Sequence, residues 1–100
     1  MPAVARLGDM STGHGCFPPT PMAVTPVSKT FFNGILAGVN DGGCQFVTHS
    51  CGITVHPQSE RKVSSGAGKT YIEGKPAARI GDTIACGDAI AQGSANSFIE

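Results

Sequence analysis

The chain has 100 residues, with seven Lys plus Arg against seven Asp plus Glu, and a formal net charge of zero. That length sets one domain, and the balanced charge excludes the cationic grip on phosphates that nucleic-acid binders need. Charged residues make up 14% and there is no Trp and one Tyr, so the core is thin and mostly aliphatic. No stretch approaches the roughly 18 apolar residues of a membrane span, and the first ten residues lack the basic start and apolar run of a secretory signal. The expectation is a single domain over residues 1–100, made in the cytoplasm, with no extension or toxin domain.

In chain order, the first recurring unit is Ala5-Arg6-Leu7-Gly8-Asp9, followed by the glycine-lined loop Gly13-His14-Gly15-Cys16. Next comes Lys29-Thr30-Phe31-Phe32-Asn33-Gly34, a short β-rich run ending in Asn-Gly, a pair suited to a tight hairpin because both residues tolerate positive φ. Residues 34–41 continue as Gly-Ile-Leu-Ala-Gly-Val-Asn-Asp, and Thr48-His49-Ser50-Cys51-Gly52 precedes His56. Lys69-Thr70-Tyr71-Ile72-Glu73-Gly74 repeats the earlier run at an offset of 40, and Asn96-Ser97-Phe98-Ile99-Glu100 repeats it again. Between them, Ala78-Arg79-Ile80-Gly81-Asp82 matches the opening unit in four of five positions, just before Ala85-Cys86-Gly87. Residues 84–90 admit a helical turn that Gly87 weakens. Gly or Pro interrupts almost every window, so the pattern predicts an all-β domain of short strands and hairpins. One supersecondary element is used three times with loops of unequal length.

A domain this small is marginal on burial alone and calls for a staple, disulfide or metal. Cys16, Cys44, Cys51 and Cys86 with His14, His49 and His56 are the available material. In a chain without a secretory signal the thiols are expected to stay reduced, which favours a metal over disulfides. Zinc takes four imidazole or thiolate ligands in a closed structural site. A site joining residue 14 to residue 86 would close nearly the whole chain into one loop. No Cys-x-x-Cys pair occurs, and the spacing leaves open which four of the seven candidates bind. Cys44 reads most simply as a small buried hydrophobe.

The string Gly74-Lys75-Pro76-Ala77-Ala78-Arg79-Ile80-Gly81-Asp82 resembles the PAAR-repeat proteins that tip contractile injection machines. The segments 8–16, 47–51, 84–88 and 93–99 look like the same family's other landmarks, in order along the chain. The copy at residues 34–41 departs from the pattern: it lacks the Pro and the Arg and reaches its Asp one residue early. The resemblance implies a small cone of three pseudo-equivalent edges, stapled by zinc near its sharp end. One such cone would cap a trimeric β-helical spike. It also implies a ligand set of three histidines and one cysteine, hence His14, His49, His56 and, by its place after the second Gly-Asp, Cys86. Cys16, Cys44 and Cys51 are then expected as small packed residues. Zinc suits the mixed imidazole–thiolate set, with iron as the alternative. Strands around Phe31-Phe32, Tyr71-Ile72 and Phe98-Ile99 are expected to form the base that meets the spike; the alternative is that they only fill the interior.

The expected function is a non-enzymatic, membrane-piercing tip at the end of a phage tail (on the virion) or secreted by a type VI apparatus. The partners would be the spike trimer and the target membrane, with no nucleic acid. One alternative is an adaptor docking a separate effector cargo onto the spike. A zinc hydrolase is disfavoured, because three histidines plus a thiolate close the shell to water, and no Gly-x-Ser-x-Gly or His-Glu-x-x-His motif occurs.

Overall fold

The computed structural model describes residues 2–99. Its strands are two or three residues long and nearly all pair as hairpins. β2 (Phe31–Phe32) pairs with β3 (Ile35–Leu36), and β7 (Tyr71–Ile72) with β8 (Lys75–Pro76). Both turns place two successive residues at positive φ: Asn33 at 58° and Gly34 at 76°, Glu73 at 52° and Gly74 at 84°. That is the mirror-image turn whose twist matches the strands. A glutamate is unfavourable there, and Glu73 is held by what its carboxylate accepts. The Lys29 N–H lies at 3.0 Å, the Thr30 hydroxyl at 3.1 Å and the Ser28 N–H at 3.4 Å.

The third copy forms a hairpin without a turn, built from the two ends of the chain. Ala3 bridges Phe98, Val4 N–H donates to Ser97 O at 3.0 Å, and Ile99 N–H donates to Pro2 O at 2.9 Å. Glu100, the last residue of that copy, lies outside the described residues.

Backbone hydrogen bonds tie the three hairpins into a closed ring. Ala5 N–H donates to Ala78 O, Ala78 N–H to Gly38 O, and Gly38 N–H back to Ala5 O, at 2.9, 3.0 and 2.8 Å. A second cyclic set repeats the relation one step outward, from Leu7 to Leu36, Asn40 to Pro76 and Ile80 to Ala3, at 2.8, 2.8 and 3.0 Å. Residues 5, 38 and 78 are thus equivalent about a pseudo-threefold axis. All three are buried and small, as three converging backbones require. At Gly38 a Cβ would lie 2.5 Å from Met22 Cε, so the divergent copy gives up its side chain to admit Met22.

Two of the three units close with the same clamp. Arg6 gives its backbone N–H, Nε–H and Nη2–H to Asp9 at 2.8, 3.0 and 3.1 Å. Arg79 does the same to Asp82 at 2.7, 3.1 and 2.8 Å. The third unit, without an Arg, instead uses Asp41 Oδ1 to accept the Gly43 N–H at 2.8 Å.

Between the hairpins the chain makes three excursions, residues 8–28, 41–66 and 81–94. β1 (Met22–Val24) pairs with β4 (Gln45–Phe46) across a bulge, joining the first excursion to the second. Bridges Val63 to Ile84 and Ser11 to Ile90 join the third to both. The second excursion also carries the hairpin β5 (His49–Cys51) and β6 (Thr54–His56), then a 3-10 turn, Gln58–Glu60. The core between the excursions holds Met22, Val39, Cys44, Phe46, Val63, Ile84 and Ile90, each at most 3% exposed. Residues 84–90 form no helix: Thr83 bridges Ala89, and Ile84 N–H donates to Asp88 O at 2.8 Å. Gly87, at φ 103°, turns the chain back on itself. The molecule is elongated, 38 × 24 × 21 Å.

Candidate metal centre

Each excursion delivers at least one candidate ligand to one place. In the first, His14 sits in a tight turn where His14 N–H donates to Phe17 O at 3.2 Å and Phe17 N–H to His14 O at 2.9 Å. Gly13 permits this turn: its φ is 72°, and a Cβ would lie 2.7 Å from Phe17 O. In the second, His49 and His56 are direct partners across β5–β6, around a two-residue turn begun by Gly52 at φ 62°. Opposed residues of an antiparallel pair project from the same face, which brings the two imidazoles together. In the third, Cys86 occupies the turn after Ile84.

The ligand atoms of His14, His49, His56 and Cys86 all lie within 4.8 Å of one another. The three imidazole centroids form an equilateral triangle with 5.1 Å sides. His49 Nε2 is 3.0 Å from His56 Nδ1 and 3.9 Å from Cys86 Sγ. Bonds near 2.1 Å in a tetrahedron give edges of roughly 3.4 Å, so these spacings bracket the expected ones. His49 Nδ1 lies 3.0 Å from Pro18 O; as an N–H donor there it leaves Nε2 as a free lone pair facing the cluster. Burial, as the largest influence, pushes the His49 imidazole toward its neutral form, which is the form that binds metal. His14 Nδ1 is buried with no hydrogen-bond partner, an expensive state for a polar atom unless it has a ligand. The donor set, convergence and orphaned nitrogen all fit a metal ion.

Two features of this centre were not read from the sequence. Phe17 stacks on His56, with ring centroids 4.0 Å apart and planes 11° apart, and lies 4.7 and 4.8 Å from His49 and His14. It therefore covers the imidazole cluster with an apolar face. Arg61 is the second. Sequentially it is one charge in Glu60-Arg61-Lys62, yet it is fully buried and donates its Nε–H to Cys86 Sγ at 3.4 Å. A salt bridge to the equally buried Asp88 at 2.5 Å balances its charge. Burial pushes the Asp88 carboxyl up, but hydrogen bonds from Thr12, Ser11 and the Ala89 N–H, with the Arg61 charge, outweigh it and hold the carboxyl low.

The remaining cysteines correct one expectation. Cys16 and Cys51 are joined in a disulfide and are not small packed residues; Cys16 is exposed. The turn at His14–Phe17 lies against β5, leaving their Cα atoms 5.4 Å apart, inside the roughly 4.4–6.8 Å window for such a bond. Compartment alone does not decide whether two thiols pair, and a separation of 35 residues conceals their proximity in the sequence. Cys44 does behave as a buried apolar residue, its Sγ 3.5 Å from Met22 Sδ.

The six residues of the expected base divide by strand alternation. Phe31, Tyr71 and Phe98 are 55%, 61% and 51% exposed, at equivalent positions of the three hairpins. Phe32, Ile72 and Ile99 turn inward against the core.

No curated protein matches the chain significantly. The PAAR motif family model matches residues 2–92, a span that takes in the ring of three backbones, both Arg–Asp clamps and all four converging candidate ligands. The chain therefore belongs to the PAAR motif family.

Proposed function

We propose that this protein is a non-catalytic tip that caps a trimeric β-helical spike in a contractile injection machine, one copy per trimer, and pierces the target membrane. Family membership fits a spike-tip role, and the observation that carries the finer reading is the cyclic bonding of Ala5, Gly38 and Ala78. A single chain can seat on a threefold partner only by offering three similar surfaces. The ring supplies them, and each hairpin adds one exposed aromatic: Phe31, Tyr71 or Phe98. The open end of a β-helix presents unpaired strand edges, and edge-to-edge pairing over apolar side chains is an effective way to cover them.

On this reading the ion held by His14, His49, His56 and Cys86 is zinc, favoured by imidazole and thiolate donors. When bound it supplies a crosslink, stiffening the meeting point of three excursions too small to hold a large core. A shell of four protein ligands leaves no position for a reacting water, which supports a mechanical role over hydrolysis.

The test is co-expression with a trimeric β-helical spike protein from the same source, followed by native mass spectrometry. One chain per spike trimer is expected. Replacing Phe31, Tyr71 and Phe98 together with Ser should abolish the complex while metal content stays unchanged; undiminished binding would overturn the assignment of this face.

A further inference from the structure

Arg61 uses its entire donor capacity. Nη1 donates to the Thr20 hydroxyl and to Val47 O at 2.6 Å. Nη2 donates to Ser11 Oγ at 3.2 Å and Asp88 Oδ2 at 2.5 Å, and Nε to Cys86 Sγ at 3.4 Å. A guanidinium has five N–H bonds, so none is spare. Four reach oxygen; the fifth reaches the sulfur that stands among three imidazoles. The acceptors come from all three excursions: Ser11 and Thr20, Val47, and Cys86 with Asp88. The guanidinium carbon also lies 5.8 Å from the Phe46 ring centroid, over its face.

Asp88 alone would balance the charge of a buried Arg, and the carbonyl and hydroxyls would satisfy its remaining oxygen-directed donors. The Nε–H···Sγ contact is the part such a role does not need. A hydrogen bond to a ligating thiolate fixes the direction of the sulfur and draws electron density from it, the general action of outer partners on metal ligands. We propose that Arg61 is a positioning residue of the metal centre, which orients the Cys86 sulfur through Nε–H and moderates its donation to the ion. Three of its other N–H bonds tie that sulfur to the first and second excursions, through Ser11, Thr20 and Val47, and the fourth holds Asp88 of the third. The proposal rests on reading the four converging residues as a metal site.

The test compares the full-length protein with Arg61→Lys, which keeps a cation beside Asp88 but loses the planar fork that serves sulfur and four oxygens together. Both are loaded with cobalt(II), the thiolate-to-cobalt charge-transfer band is recorded, and affinity is measured by chelator competition. In Arg61→Lys the band should move to longer wavelength and affinity should fall about 10- to 100-fold. A folded variant with the parent band and affinity would overturn the proposal while leaving the metal site standing. The parent protein loaded with a spin-active cadmium isotope supplies a test that needs no variant. A scalar coupling between the Arg61 Nε proton and cadmium is expected, and its absence would overturn the proposal. A parent protein that takes up neither metal overturns the metal reading, and this proposal with it.

Discussion

His49 and His56 stand directly opposite one another across a two-residue turn, Nε2 of the first 3.0 Å from Nδ1 of the second. Half of the proposed ligand set is thereby fixed by local hairpin register, and the other half, His14 and Cys86, must be delivered by the rest of the fold. His56→Ala should therefore abolish high-affinity metal binding while the hairpin still forms. His14→Ala and Cys86→Ala should in addition loosen the first and third excursions. A structural metal supplies on the order of 10 kcal/mol, comparable to a small domain's whole stability. Thermal unfolding with and without chelator should accordingly show a large loss in the parent protein and little in these variants.

Asp88→Asn removes the countercharge of a guanidinium that is wholly enclosed. Breaking a buried pair from one side costs about 3–5 kcal/mol, and denaturant unfolding should show a loss of that size. The same substitution should cost far less in the double variant Arg61→Met/Asp88→Asn, because no uncompensated charge remains.

The Cys16–Cys51 bond closes a 35-residue separation, for which loop-closure entropy gives a stabilisation of about 4 kcal/mol at most. Reduction, or Cys51→Ser, should lower the denaturation midpoint by a corresponding amount. Metal content should persist, since neither sulfur belongs to the ligand cluster. Loss of metal on reduction would mean that the disulfide, and not the fold around it, holds His14 in place.

Burial pushes the Cys44 thiol from 9.0 to about 11. A raised folded-state value means the folded chain favours the neutral thiol. That contribution is fully present below about pH 9 and is lost as pH rises through 11, at about 1.4 kcal/mol per pH unit. Stability should decline across that window in the parent protein and less so in Cys44→Ala. At neutral pH the folded protein should leave Cys44 unmodified by iodoacetamide, and unfolding should expose it.

How much of this was legible follows from which interactions are local. Asn33-Gly34 and Glu73-Gly74 announce their hairpins because two positive-φ residues in succession are a local demand. The repeated Arg–Asp units are equally readable, since each clamp spans three residues. The third hairpin is visible in sequence only as half a hairpin at residues 96–100, because its partner strand lies at the other end of the chain. Family resemblance singled out His14, His49, His56 and Cys86, whose side chains converge, whereas spacing alone left seven candidates. Arg61 was invisible for a physical reason: its burial depends on five acceptors from three excursions, and beside Glu60 and Lys62 it looks like a solvated charge. Cys16 and Cys51 were likewise hidden, since only the packed turn at residues 14–17 brings them within bonding reach.

The most direct measurement is elemental analysis of the purified protein, paired with its unfolding temperature before and after exhaustive chelation. One zinc ion per chain is expected, with a steep fall in stability on its removal and no bound zinc in His14→Ala. Metal-free protein that unfolds at the same temperature as the starting material would contradict the claim that one ion crosslinks the three excursions.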